Sequence, residues 1–196
     1  MSTATEICNA LPLVNGDFGL GSYDPWRFDT SRMDRSTQYQ LVYAPVYGTT
    51  HESLAAVFTP FTPGSSSRTT VFLSQTITTC PAITYSLGYH YNFNTSLSSQ
   101  DDLQDLTLSI EAVDASVTPP MSLGLYIFNA WVGNSNTIAD GNGNALDGNW
   151  YSIPNFTFES SSNSTSIHFS IAGSSSTNAE VFVGNFVVQA VAVGGD

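Results

Sequence analysis

The stretch TYSLGYHYNF, residues Thr84–Phe93, alternates between two kinds of side chain. Every second residue is Leu, Tyr or Phe, and the residues between them include Ser86, Gly88, His90 and Asn92. Successive side chains of a β-strand point to opposite faces of the sheet, so a period of two predicts a strand with one buried and one open face. We therefore expect the tyrosines in a core and His90 on an open surface.

Short apolar runs of this kind recur along the chain between clusters of Gly, Pro, Ser and Asn, and no segment has a convincing helical period. This pattern is typical of an all-β sandwich. The predicted strands are Leu11–Val14, Gln38–Tyr43, Thr70–Thr78, Thr84–Phe93, Leu106–Val113, Ser122–Trp131, Asn155–Glu159, Ser166–Ile171 and Val181–Val193. His51–Phe58 fits a short helix or a strand, Gly133–Gly148 is predicted to be a long loop, and turns are predicted at Ser160–Ser164 and Ser174–Asn178.

Two of these strands do not alternate. In Ser122–Trp131, Leu125 and Ile127 point to one side while Tyr126 and Phe128 point to the other, and Val181–Val193 is also apolar on both sides. An antiparallel strand with two apolar faces needs a cover on each face. A loop, a bound ligand or the second subunit of a homodimer would supply it.

The chain has 196 residues, which is enough for one β-sandwich domain spanning residues 1–196. Its 4 basic residues are all Arg, against 16 acidic ones, and the formal net charge is −12. Such a surface repels phosphate, so we expect neither a nucleic-acid partner nor attraction to an anionic membrane. Few charges and abundant Ser and Thr indicate a secreted protein.

Several residues carry the expected marks of the secretory pathway. Asn94, Asn155 and Asn163 each begin an N-glycosylation sequon. Cys8 and Cys80 form either a disulfide or two buried free thiols. We expect a signal peptide to be removed before residue 2, because the N-terminal residues lack a basic start and an apolar run. No stretch reaches the roughly 20 apolar residues of a membrane-spanning helix.

Four motifs resemble carbohydrate-binding modules of families 4 and 9. They are Leu13–Phe18 (LVNGDF) followed by Trp26, Leu73–Ile77 followed by Tyr85–Leu87, Gly148–Tyr151 followed by Phe156–Phe158, and the closing Phe182–Val188. The resemblance spans nearly the whole chain and implies a single galactose-binding-like jelly-roll sandwich. Fungal secreted proteins of this kind often carry cysteines at the positions of Cys8 and Cys80, which implies that these two are paired.

The family's structural calcium is not expected here, because Gly19 and Gly184–Asn185 stand where its acidic ligands belong. The loop Asp140–Asn144 resembles a calcium loop, but Ala145 and Tyr151 replace the turn glycine and the bidentate Glu. We predict a turn with no metal, and a protein without a cofactor.

Hydrolysis is a poor match to these residues. A glycosidase needs two carboxylates about 5–10 Å apart, and Glu111 faces the open side of its strand without an evident partner. No Gly-x-Ser-x-Gly elbow is present, and the three histidines lack metal-ligand spacing.

The remaining possibility is an aromatic cleft with a few neutral hydrogen-bonding groups. We predict His90, Gln75 and Asn129 as its catalytic donors. The predicted substrate-binding residues are Trp26, Arg27, Asn92, Tyr126, Phe128, Trp131 and Trp150.

Two functions fit such a cleft. The first is a non-catalytic carbohydrate-binding module or lectin, whose partner is a glycan. The second is a cofactor-independent pericyclase that binds apolar small molecules. In size, secretion and apolar cleft the chain is similar to fungal hetero-Diels–Alderases, which join a tropolone quinone methide to a humulene-type terpene. The apolar second face of Ser122–Trp131 favours the pericyclase.

Overall fold

The computed structural model describes residues 13–30, 38–45, 52–59, 69–93, 106–130, 132–134, 137–146, 148–173 and 181–191. Within these ranges every regular element is a β-strand. No helix in this part of the chain is long and apolar enough to cross a membrane.

One layer is a five-stranded antiparallel sheet in the order β1-β4-β12-β6-β7. Its strands are β1 (Arg27–Thr30), β4 (Thr69–Thr78), β6 (Thr107–Asp114), β7 (Met121–Asn129) and β12 (Ser164–Gly173).

The other layer is a six-stranded antiparallel sheet in the order β10-β5-β13-β3-β2, in which β11 also pairs with β5. Its strands are β2 (Gln38–Pro45), β3 (Glu52–Thr59), β5 (Thr84–Phe93), β10 (Tyr151–Ser152), β11 (Phe156–Glu159) and β13 (Val181–Ala190). A separate hairpin joins β8 (Val132–Asn134) to β9 (Thr137–Ala139).

Most predicted strands are confirmed, and β5 has the predicted bounds. Of the ambiguous segment His51–Phe58, the described residues from Glu52 onward lie in strand β3. The predicted loop Gly133–Gly148 is wrong in part, because it contains most of the β8–β9 hairpin. The described end of Leu11–Val14 is not a strand. Ser174–Asn178 lies outside the described residues.

The core lies between the two sheets. From β5 it receives Tyr85, Leu87, Tyr89 and Tyr91, and from the opposite sheet it receives Leu73, Ile110 and Phe169, all of them at most 2% exposed. The period of two in TYSLGYHYNF therefore has the predicted structural meaning: the tyrosines are buried and His90 is on the outer face.

Phe186 enters this core through an irregularity in β13. The pairing of β13 with β5 shifts between Gly184 and Val187, so one bulge separates Gly184, opposite His90, from Val187, opposite Gly88. The buried Phe186 ring packs against the rings of Phe18, Trp26, Tyr89 and Phe169, at centroid distances of 4.9–6.1 Å.

The opening motif LVNGDF is fastened to this bulge. The Phe186 amide donates to the carbonyl of Gly16 at 2.9 Å. The buried side chain of Gln75 clamps Val14 with two hydrogen bonds, of 2.9 Å from the Val14 amide and 2.8 Å to its carbonyl. The motif is thus bonded to both sheets, to β4 through Gln75 and to β13 through Phe186.

A buried carboxylate ties the turn after β6 to the turn before β12. Asp114, at the end of β6, accepts hydrogen bonds from the Ser116 hydroxyl at 2.6 Å, from the Ser116 amide at 2.8 Å, and from the hydroxyls of Ser161 and Ser162. The bonds from Ser116 and Ser161 hold the pKa of Asp114 well below its usual range.

The outer face of β7 is apolar and exposed. Leu125 and Ile127 are 54% and 58% exposed, whereas Phe128 on the opposite face is buried. The predicted two-sided apolar strand is therefore confirmed, and no residue in the described part of the chain covers its outer side. The outer face of β13 is partly covered, because the buried Trp150 packs on Phe182 at 6.4 Å.

Gly16→Ala tests the attachment of the opening motif. A Cβ on Gly16 would lie 1.9 Å from the Phe186 carbonyl oxygen, so the backbone must separate. We expect the free energy of unfolding in urea to fall by about 1–3 kcal/mol. Gly88→Ala is the matched control, because a Cβ there meets nothing within 4 Å. Equal stability of the two variants would contradict the role of this contact.

Candidate functional site

A pocket of about 360 Å³ opens on the outer face of the six-stranded sheet. It lies where the partner of β5 changes from β10 to β11, since residues 153–155 separate these two short strands. The lining residues are Gly88, Tyr89, His90, Ser152, Ile153, Asn155, Asn185 and Val187. A break in an edge of the sheet, rather than a long loop, creates this concavity.

His90 and Asn185 form the central polar pair of the pocket. Alternation directs His90 outward from β5, and the bulge in β13 places Asn185 beside it. The Asn185 Nδ2 lies 3.1 Å from the His90 Nδ1. Asn185 has a φ of +54°, a left-handed conformation that Asn tolerates better than most residues.

This hydrogen bond links the tautomer of His90 to the orientation of the Asn185 amide. With Nδ2 of Asn185 as the donor, Nδ1 of His90 accepts, and the neutral ring then carries its proton on Nε2. Burial lowers the pKa of His90 from 6.5, which keeps the ring neutral at neutral pH. The pocket therefore presents a neutral imidazole as a hydrogen-bonding group.

The polar groups around His90 are also neutral. Ser152, Asn155 and Asn185 contribute a hydroxyl and two amides, and Val187, 44% exposed, contributes an apolar patch. The lining includes no carboxylate among the described residues, so it lacks the acid pair of a glycosidase. This arrangement can bind hydroxyl and carbonyl groups and can orient a small ligand.

Among the described residues that were predicted to form the site, His90 alone lines this pocket. Asn92 is two positions along the same strand face but is buried, and its amide donates to the Gly148 carbonyl. This bond holds the segment that carries Trp150 against β13.

Three predicted residues point into the sandwich instead. Gln75 is 4% exposed and both of its amide atoms bind Val14. Trp26 and Phe128 are buried in the aromatic core, where Trp26 donates from Nε1 to the Asn15 carbonyl at 3.0 Å. The predicted aromatic cleft is thus not assembled from these rings.

The other predicted residues lie on the five-stranded sheet. Arg27 is exposed on β1, and Asn129 is exposed at the end of β7. Tyr126 is half-buried, and its hydroxyl donates to Asn142. Trp131, Asn94 and Cys8 lie outside the described residues, so their predicted roles, and the pairing of Cys8 with Cys80, stay predictions.

The predicted turn Asp140–Asn144 is closed on itself. The buried Asp140 accepts from the amides of Asn142 and Asn144 at 2.9 Å each, and from the Tyr91 hydroxyl. Burial, together with the hydrogen bond to Asp140, raises the pKa of Tyr91 well above its usual range. These bonds make the Asp140–Asn144 turn a structural loop anchored to β5.

Sequence reasoning missed Asn185 and Ser152. The bulge that exposes Asn185 leaves little mark on an apolar run such as Val181–Ala190, although a Gly-Asn pair inside a strand is a bulge signal. Strand β10, which carries Ser152, has only two residues, too few for a period to be recognised.

No family model matches the sequence, and no curated protein matches it. Among solved structures it is similar to the enzymatically active domain of tailspike protein 4 from bacteriophage CBA120, with a TM-score of 0.59 and 16% identity over 92% of this chain. This chain covers only 21% of that tailspike chain.

Two further solved structures match over nearly their whole length. The carbohydrate-binding module TmCBM61, in complex with β-1,4-galactotriose, has a TM-score of 0.57 and 15% identity over 93% of this chain and 99% of the module. A cyclase from Fischerella sp. TAU, in complex with 4-(1H-indol-3-yl)butan-2-one, has a TM-score of 0.55 and 14% identity over 92% of this chain and 96% of the cyclase. The predicted all-β, galactose-binding-like sandwich is confirmed, and such low identities establish the fold alone.

Nuclear magnetic resonance titration tests the state of His90. We expect a pKa below 6.5 and, at pH 7.5, ¹⁵N shifts of the Nε2–H tautomer. Asn185→Gly keeps the left-handed backbone and should release this tautomer preference. Because the folded pKa is lowered, His90 should reduce the free energy of unfolding as the pH falls below 6.5. His168 on the other sheet is the internal reference, because burial also lowers its pKa. An Nδ1–H tautomer of His90 would contradict the hydrogen bond.

Proposed function

We propose that this protein is a secreted, non-catalytic carbohydrate-binding module whose pocket beside His90 receives the sugar. The observation that carries the proposal is the His90–Asn185 pair, which presents neutral hydrogen-bonding groups in a concave surface. Sugars expose hydroxyl groups that both donate and accept, and imidazole, amide and serine side chains match them without any charge.

The shape of the pocket supports the same proposal. Its volume of about 360 Å³ is in the lower part of the range for small-molecule sites, which suits a short stretch of glycan. Val187 and Ile153 give apolar contact for the ring carbons. TmCBM61, which shares the fold, was solved with a galactotriose, so a β-1,4-linked galactan is a reasonable first ligand to try.

The scarcity of basic residues is consistent with this partner. A net charge of −12 opposes binding to nucleic acid or to an anionic membrane, whereas a neutral glycan is unaffected by it. Secretion, the disulfide and the sequons belong to the same proposal, since most glycan-rich surfaces are extracellular.

Glycan arrays followed by calorimetry test the proposed site. We expect micromolar to millimolar binding, and we expect His90→Ala and Asn185→Gly each to weaken it about tenfold, the loss of roughly one to two hydrogen bonds. His168→Ala is the matched control, because His168 is also half-buried on an outer sheet face. If His168→Ala weakens binding and His90→Ala does not, the binding site lies on the five-stranded sheet and the proposed site is wrong.

A second candidate is the cofactor-independent hetero-Diels–Alderase, which joins a tropolone quinone methide to a humulene-type terpene. The observation that favours it is the uncovered apolar stripe of Leu125 and Ile127 on β7, and a cyclase shares the fold. A pericyclase acts by positioning its reactants, which can contribute up to roughly 7–11 kcal/mol.

Incubation with a tropolone alcohol and a humulene separates the two candidates. A pericyclase should raise the rate and change the stereochemical ratio of the products, and Leu125→Ser with Ile127→Ser should abolish both effects. A product ratio equal to that of the protein-free reaction would exclude the pericyclase and leave the glycan proposal untouched.

A further inference from the structure

The sequon at Asn155 stands in the wall of the pocket. Asn155 is exposed and lines the cavity together with His90 and Asn185. The sequon is Asn155-Phe156-Thr157, and strand β11 begins at Phe156. Phe156 is buried and Thr157 is exposed, so the acceptor and the residue that specifies it point away from the core.

The other described sequon is placed differently. Asn163 is exposed in the turn before β12 and does not line the pocket, and the hydroxyl of its Thr165 is buried against Thr79 at 2.9 Å. A glycan on Asn163 therefore starts away from His90, whereas one on Asn155 starts at the rim of the pocket.

We propose that an N-linked glycan on Asn155 covers the pocket and makes access to His90 depend on the glycosylation state of the protein. In the secretory pathway a lipid-diphosphate-linked oligosaccharide is the donor. A bond forms between C1 of its first N-acetylglucosamine and Nδ2 of Asn155, the amide loses one proton, and the lipid diphosphate leaves.

The covering effect follows from tethering. A sugar attached to the wall is held at a high effective concentration at the site, in the millimolar range for short flexible connections. A free ligand must compete with this tethered sugar. If the pocket binds sugars, the attached glycan also becomes an intramolecular ligand, and this consequence rests on the proposed function.

The wild type and three variants of the full chain, secreted from a eukaryotic host, test the proposal. Thr157→Ala removes the sequon and keeps the Asn155 side chain, whereas Thr157→Ser keeps the sequon and is the matched control. Peptide mass spectrometry measures the occupancy of Asn155. Asn163→Gln controls for loss of a glycan elsewhere, and thermal melts establish that each variant is folded.

Carbethoxylation by diethyl pyrocarbonate reports access to His90, with His168 in the same molecule as the reference. We expect His90 in the wild type and in Thr157→Ser to react at least fivefold more slowly than in Thr157→Ala, with His168 unchanged. Trimming with endoglycosidase H should restore most of the rate. An unoccupied Asn155, or equal rates in all forms, would overturn the proposal.

Binding of each form to the glycan array separates this inference from the proposed function. Tighter binding by Thr157→Ala than by the wild type supports both. Protection of His90 without glycan binding in any form supports the covering glycan and contradicts the carbohydrate-binding function. Equal binding by the two forms, with Asn155 occupied, contradicts the covering glycan alone.

Discussion

Phe186 interrupts the regular pairing of β13 and places its ring among Phe18, Trp26, Tyr89 and Phe169. Its amide is bound by the Gly16 carbonyl, so the opening motif, the closing strand and β5 meet at one residue. Elements distant in sequence are thereby joined in a single aromatic cluster. The burial of these large rings stabilises the sandwich, because each removes a large apolar area from water.

The same irregularity supplies one polar side chain of the pocket. A regular β13 would continue to alternate, and a shift of one residue moves every later side chain to the opposite face. The bulge gives both Phe186 to the core and Asn185 to the outer surface beside His90. The bulge requires a left-handed backbone conformation at Asn185, which is unfavourable in energy. The packing of Phe186 in the core offsets this conformational energy.

Alternation made much of the fold predictable. Thr84–Phe93 was placed to the residue, and His90 was assigned to the open face, because a half-buried strand has a strict period. In Thr69–Thr78 the same alternation places Gln75 on the inward face with Leu73 and Ile77. Its prediction as a site residue rested on its hydrogen-bonding amide and did not take this alternation into account. Asn185 could not be placed in this way, since the position of a bulge depends on packing against a distant segment.

Charge limits what this fold can do. Glu111 on β6 lies opposite His168 on β12, and this outer face of the five-stranded sheet thus holds a carboxylate beside an imidazole. One carboxylate cannot be both acid and nucleophile to a glycoside, and the described pocket on the other sheet has none. Groups that stay neutral can still discriminate among ligands, because a buried donor or acceptor left unpaired costs about 1–3 kcal/mol. The described lining of the pocket offers a ligand hydrogen bonds and no carboxylate, and any covering of the pocket would change access to those groups without changing the charge of the lining.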